Sequence, residues 1–119
     1  MTDNTTTTIG YRGENLAKAY LEAKGMQFVL SNYRSGRGEI DLVFKENKTL
    51  VFVEVKYRTG TGYGYPEAQI GQKKIDILKK TAEMYLYDSG WNADIRFDVV
   101  SIVKVNKQEQ VTHFEDVFY

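Results

Sequence analysis

Apolar residues recur along this chain in two rhythms. From Gly10 to Lys24, Leu16, Ala17, Tyr20, Leu21 and Ala23 spread over one broad side at helical spacing, and Gly25 is a natural stop, so a first amphipathic helix is predicted there. Met26 to Arg34 reads as a strand, followed by a loop, Ser35-Gly36-Arg37-Gly38. Residues 38–45 and 50–57 predict two more strands joined by the polar turn Glu46-Asn47-Lys48-Thr49. Leu50 to Val55 is apolar on both faces apart from Glu54, the pattern of a central strand covered on both sides. Tyr57 to Pro66, with three glycines, three tyrosines and the chain's only proline, predicts a mobile loop. Glu67 to Asp88 reads as a long helix with the stripe Ile75, Leu78, Ala82, Tyr85 and Leu86, closed by Asp88-Ser89-Gly90. Ile95 to Val105 is a further strand, Asn106 to Glu109 a turn and Gln110 to Phe118 a final strand.

The order α-β-β-β-α-β-β predicts an α/β fold with a mixed central sheet flanked by helices. Neither an internal repeat nor a linker divides residues 9–119, which are expected to form one domain. Residues 1–8 are expected to be a disordered tail, because a threonine run without apolar partners cannot offset its ordering entropy.

Composition narrows the chemistry. At 119 residues and 42% hydrophobic content the chain suits a single core. Cysteine is absent, which excludes disulfides, thiolate zinc sites and cysteine nucleophiles. The single histidine, His113, lies in an alternating, edge-like segment and is expected to be structural or solvated, so histidine-based hydrolysis is disfavoured. The N-terminus has neither a basic region nor an apolar stretch, and no run approaches the length of a membrane span, so a cytoplasmic address and no membrane partner are expected. Formal charge is zero but unevenly spread. Residues 34–80 hold ten basic side chains against six acidic, and residues 81–119 hold three against seven. A basic centre is compatible with a phosphate-backbone ligand, although charged residues more often only solvate a surface.

Chemistry must then rest on carboxylates, lysine and a hard cation, and the hairpin supplies them. With Lys45 facing Leu50 across the turn, Asp41 lies opposite Glu54 and Glu39 opposite Lys56, and the strand period puts Glu54 and Lys56 on one face with Asp41. Opposed carboxylates repel unless a proton or cation sits between them. Magnesium commonly takes one or two carboxylates, so Asp41 and Glu54 are candidate ligands, with the Val55 carbonyl as a third and Lys56 beside the ion to activate water. The bland alternative is a surface hairpin with a Glu39–Lys56 ion pair and a solvated Asp41; the apolar neighbours of Glu54 weigh against it. Glu14, at the margin of the first helix's buried side, either reaches this site or simply favours the helix dipole. Gln72, Lys73 and Lys74 begin the long helix's ordered stripe, with Gln72 expected on the inward side; they are either an ordinary helix start or a phosphate or water contact.

Glu14, Gly38-Glu39-Ile40-Asp41, Val53-Glu54-Val55-Lys56 and Arg96-Phe97-Asp98-Val99-Val100, in this order and spacing, resemble the small bacterial YraN family over residues 10–118. That family is similar to archaeal Holliday-junction resolvases and to the PD-(D/E)xK nuclease superfamily. The resemblance implies a restriction-endonuclease-like core, with Asp41 and Glu54 as metal ligands, Lys56 as catalytic lysine and Glu14 as an additional acid. It also places Gln72 and Lys74 on a helix that often adds a polar residue to such sites. The proline of the superfamily's Pro-Asp step is absent, since Ile40 precedes Asp41.

The expected function is a Mg2+-dependent endonuclease acting on DNA, with branched or distorted DNA among the candidate substrates and Mn2+ as a substitute. Arg34, Arg37, Arg58, Gln72, Lys73 and Lys74 are expected to contact nucleic acid, and a two-fold homodimer is expected if the substrate is a junction. A nucleic-acid-binding module that keeps the fold without cutting is the alternative, and a protein-interaction subunit with an acidic C-terminal half is a third reading.

Overall fold

The computed structural model describes residues 6–59 and 67–118, with side chains from residue 10 onward. Its elements are α1 (Thr6–Ala23), β1 (Gln27–Ser35), β2 (Gly38–Glu46), β3 (Thr49–Thr59), α2 (Gln72–Ser89), β4 (Asp94–Val105) and β5 (Gln108–Phe114). The strands form one mixed five-stranded sheet in sequence order, β1-β2-β3-β4-β5. β3 and β4 run parallel and the other neighbours antiparallel, because α2 carries the chain between β3 and β4 while short turns join the others.

The hairpin register is the one the turn predicts. Lys45 pairs with Leu50 and Glu46 with Thr49, leaving Asn47 and Lys48 as a two-residue loop, with Asn47 at φ 55, a left-handed conformation that asparagine tolerates.

Each face of the sheet carries one helix. Ala17 and Leu21 of α1 pack with Leu42, Phe44, Val51, Val53, Val100 and Ile102 on one side. Leu78, Ala82 and Tyr85 of α2 pack with Val43, Leu50, Phe52 and Phe97 on the other. β3 therefore buries both faces, as its apolar run predicts, and each fully buried side chain there contributes roughly 1.5–3 kcal/mol. Tyr20 and Ala23, expected on the buried side of α1, are exposed, so its apolar stripe is narrower than the pattern implied.

Element boundaries differ where tertiary contacts override local pattern. α1 starts at Thr6, so residues 6–8 extend the helix instead of belonging to a disordered tail; adding a turn to an existing helix costs less than nucleating one. Residues 1–5 lie outside the described residues. α2 starts at Gln72 and not at Glu67: Gly71 is extended (φ −66, ψ 154), and Ile70 packs against the α2-side core. β3 runs on to Thr59 because every residue from Thr49 pairs with β4, so Tyr57 to Thr59 of the expected loop are strand, and 60–66 lie outside the described residues. β5 ends at Phe114, short of Phe118. Asp116 turns the chain at φ 55, the Val117 N–H donates to the Phe97 carbonyl at 2.8 Å, and Phe118 stacks on Phe97 with ring centroids 4.8 Å apart.

Candidate metal centre

β2 and β3 separate after the Leu42–Val53 pair. Beyond it β2 pairs with β1 as far as Gly38, while β3 pairs with β4 as far as Thr59. Asp41 occupies the gap, where its Oδ2 accepts the Val55 N–H at 2.8 Å, a bond that a strand carbonyl would accept in an unbroken ladder. The alternation of β2 breaks at the same place. Ile40 packs in the α2-side core and Leu42 in the α1-side core, although residues two apart in a regular strand share a face.

This split lets acids from both layers converge. Glu14 of α1 is half-buried and accepts a hydrogen bond from Asn32 Nδ2 at 3.0 Å; Asn32 sits in β1 at φ 55. Carboxylate oxygens of Glu14, Glu39 and Asp41 all lie within 4.8 Å of one another. From the α2 side, the charge of Glu54 acts on the Asp41 carboxyl, and its Oε2 lies 3.4 Å from Lys74 Nζ.

Electrostatics follow from that crowding. Burial first, and then the charge of Glu54, push the Asp41 carboxyl up to about 8, against the Val55 N–H, which favours the anion. Burial also raises Glu14; the Asn32 bond opposes it, and Glu39 and Glu54 add to it. An all-carboxylate donor set with this little counter-charge could hold a hard divalent cation.

The basic residues are disposed differently from the expectation. The Lys56 ammonium donates to the Gln69 carbonyl, just before α2. Glu39 does not pair with Lys56: with the strands parted, that pair is missing from the ladder, and Glu39 accepts from its β1 neighbour Arg34 at 2.5 Å. Gln72 is exposed and donates to Asp76 at 2.9 Å instead of facing inward, because it opens the helix one residue after Gly71. Lys73 is exposed as well. Arg58 lies 3.8 Å from Glu67, and Arg37 is exposed in the β1–β2 turn. Of the expected phosphate contacts, the structure thus brings Arg34 and Lys74 against the acid cluster, through Glu39 and Glu54. The acid that sequence reasoning missed is Glu39, whose place two residues before Asp41 was the available signal.

A second group, Asp98, His113 and Glu115, also has ligand atoms within 4.8 Å of one another, but its central carboxylate is already satisfied. Asp98 accepts from Arg96 Nε and Nη2, both at 2.9 Å, and from the Asp116 N–H at 3.0 Å, and His113 Nε2 lies 2.7 Å away. Burial raises the Asp98 carboxyl, yet these bonds outweigh it and hold the group below the usual range. Lys24 Nζ lies 2.7 Å from His113 Nδ1, which fits a neutral ring accepting there and donating from Nε2. His113, 1% exposed at its side chain, is structural and not solvated.

Comparison with known sequences gives a family. The sequence model of the Uncharacterised protein family UPF0102 matches residues 13–102, a span that holds Glu14, Glu39, Asp41, Glu54 and Lys56. A UPF0102 protein of Cytophaga hutchinsonii is 44% identical over 108 residues, covering 91% of this chain and 93% of its own. One from Persephonella marina is 40% identical over 110 residues, with 92% and 91% covered. One from Vibrio vulnificus is 46% identical over 97 residues, with 79% and 80% covered. On this likeness, spanning the helix and both strands that build the acid cluster, the chain belongs to the UPF0102 family, the group its YraN-like motifs point to.

Proposed function

We propose that this protein is a Mg2+-dependent endonuclease that hydrolyses phosphodiester bonds in DNA, with branched or distorted DNA as the favoured substrate, and that its mixed sheet is a restriction-endonuclease-like core of the PD-(D/E)xK type. The observation that carries this reading is the meeting of Asp41 with Glu14 and Glu39 where β2 and β3 part, with the charge of Glu54 acting on Asp41 and Lys56 two residues beyond Glu54 on β3.

Asp41 and Glu54, with Glu14 and Glu39, supply oxygen ligands, and the Val55 carbonyl is a further one. Mg2+ held there supplies a Lewis acid and lowers the pKa of a bound water. The Val55 N–H fixes the orientation of the Asp41 carboxylate, and Asn32 does the same for Glu14. Lys56, now bonded to the Gln69 carbonyl, exchanges that partner for a non-bridging phosphate oxygen and offsets charge that builds in the transition state. Arg34 and Lys74, each paired with a cluster acid, stand beside the site as phosphate contacts.

The test is incubation of purified protein with linear, single-stranded and four-way-junction DNA, with Mg2+ or with chelator, beside Asp41→Ala and Lys56→Ala. Mg2+-dependent cutting lost in both variants supports the enzyme. Binding that survives both substitutions, with no cutting by any form, identifies a silent binding module.

A further inference from the structure

Beside the carboxylates lies an open cleft of ≈ 420 Å³ lined by Gly10, Tyr11, Glu14, Asn32, Arg34 and Glu39. Its size falls within the range of about 300–1,000 Å³ typical of small-ligand sites, too small for a duplex but enough for one nucleotide. Among the described residues, two of its features lack an internal packing role, and a third, Arg34, stays exposed beyond its ion pair with Glu39. Tyr11 presents an aromatic ring that is 59% exposed, although α1 has buried positions available to apolar groups. Arg34 is 76% exposed at its side chain and offers its fork of donors beside Glu39. Gly10 lies inside α1, where glycine costs about 1 kcal/mol relative to alanine, yet a Cβ built on it meets nothing within 4 Å. Gly13, one turn on, has an internal reason, since its Cβ position is 3.2 Å from Tyr57 Cβ. Among the described residues, packing therefore explains Gly13 and leaves the space at Gly10 unfilled.

We infer that this cleft receives an unpaired nucleotide next to the carboxylate cluster, with Tyr11 stacking on its base, Arg34 meeting its phosphate and Gly10 leaving room for its backbone. The inference rests on the nuclease reading for its nucleic-acid substrate and adds a preference for single-stranded or extruded bases. Bases inside a duplex stack on each other and cannot offer a face to an exposed ring, whereas unpaired bases stack on aromatic side chains with little regard to sequence. Glu14 and Glu39 border the cleft, so binding requires a divalent cation to offset their charge.

The experiment is fluorescence anisotropy of the full chain, in Ca2+, with a labelled oligothymidine strand and a duplex of equal length, for the parent and for Tyr11→Ala, Tyr11→Phe and Gly10→Leu. Strand affinity is expected to fall about tenfold in Tyr11→Ala and Gly10→Leu and to be kept in Tyr11→Phe, with duplex affinity changed less than about twofold. The Tm of Gly10→Leu should equal or exceed the parent's, because leucine is the better helix former. Strand affinity unchanged in both cleft variants, equal losses on strand and duplex, a Phe variant as weak as Ala, or a parent that binds neither probe each overturns the inference. Cutting by the parent without this binding pattern overturns the cleft and leaves the nuclease; the binding pattern without any cutting does the reverse.

Discussion

The Asp41 side chain accepts the backbone N–H of Val55 at 2.8 Å, so a carboxylate bridges the seam where β2 and β3 part. The same group serves as backbone partner and as centre of an acid cluster, which ties the local strand geometry to any ion the cluster holds.

Neutralising Asp41 should stabilise the protein when no cation is present. Its carboxyl is held up to about 8, above the ordinary 3.8, so the folded state binds the proton more tightly than the unfolded chain. That contribution is complete below about pH 4 and is lost as pH rises through about 8. Asp41→Asn keeps an acceptor for Val55 and removes the charge; in chelator it should be about 1–3 kcal/mol more stable than the parent at pH 8, with the difference closing toward pH 4. Thermal melts across this range check it, and a variant less stable than the parent at pH 8 contradicts it.

Glu39 should matter to ion binding as much as the acids that the sequence motif marks. Glu39→Gln and Glu14→Gln each remove one negative ligand from a group spanning at most 4.8 Å, and each should weaken Mn2+ binding by about tenfold or more in calorimetry. Parent-like affinity in Glu39→Gln would exclude that residue from the ligand set.

Glu14 depends on how α1 is docked. Glu109 of β5 accepts from Arg12 Nε at 2.8 Å, Arg12 Nη2 at 2.6 Å and the Tyr57 hydroxyl at 2.6 Å, fastening α1 to β3 and β5 two residues before Glu14. Because Arg12 is 57% exposed, solvent screens its share. Glu109→Ala should cost about 1–2 kcal/mol in urea denaturation and weaken Mn2+ binding, and Tyr57→Phe should cost less. Unchanged stability in Glu109→Ala would show that the clasp is incidental.

Asp98 should be the most sensitive acid for stability. It is buried and accepts bonds from Arg96 and Asp116, with His113 on its other oxygen, so Asp98→Ala leaves Arg96 without its main partner and should cost about 3–5 kcal/mol. Its carboxyl is held below the ordinary 3.8, so its contribution is present above that value and lost as pH falls below it. Denaturant titrations at neutral pH and at pH 3 measure both effects.

Much of this architecture is legible in the residues, and the exceptions share a cause. The hairpin register could be read because a short polar turn between two apolar runs allows few pairings, and Lys45–Leu50 is the pair that forms. The α2 stripe was legible from spacing, with Leu78, Ala82 and Tyr85 buried. What the period of a strand conceals is a place where the period fails. Extending the register past Leu42–Val53 assigned Glu39 to Lys56, whereas the parted strands give it to Arg34 and to the acid cluster. Asn32 is a hint of the irregularity, since asparagine adopts the left-handed conformation more readily than most residues. The start of α2 was hidden because Ile70 is drawn into the core by contacts distant in sequence.

Whether the acids at the strand split hold a divalent ion is tested most directly by crystals soaked in Mn2+ and measured for anomalous scattering. The expected result is a peak bridging Asp41 and Glu54, about 2.1 Å from their carboxylate oxygens, with Glu14 and Glu39 around it. No peak there, or a peak only at Asp98, His113 and Glu115, would contradict it.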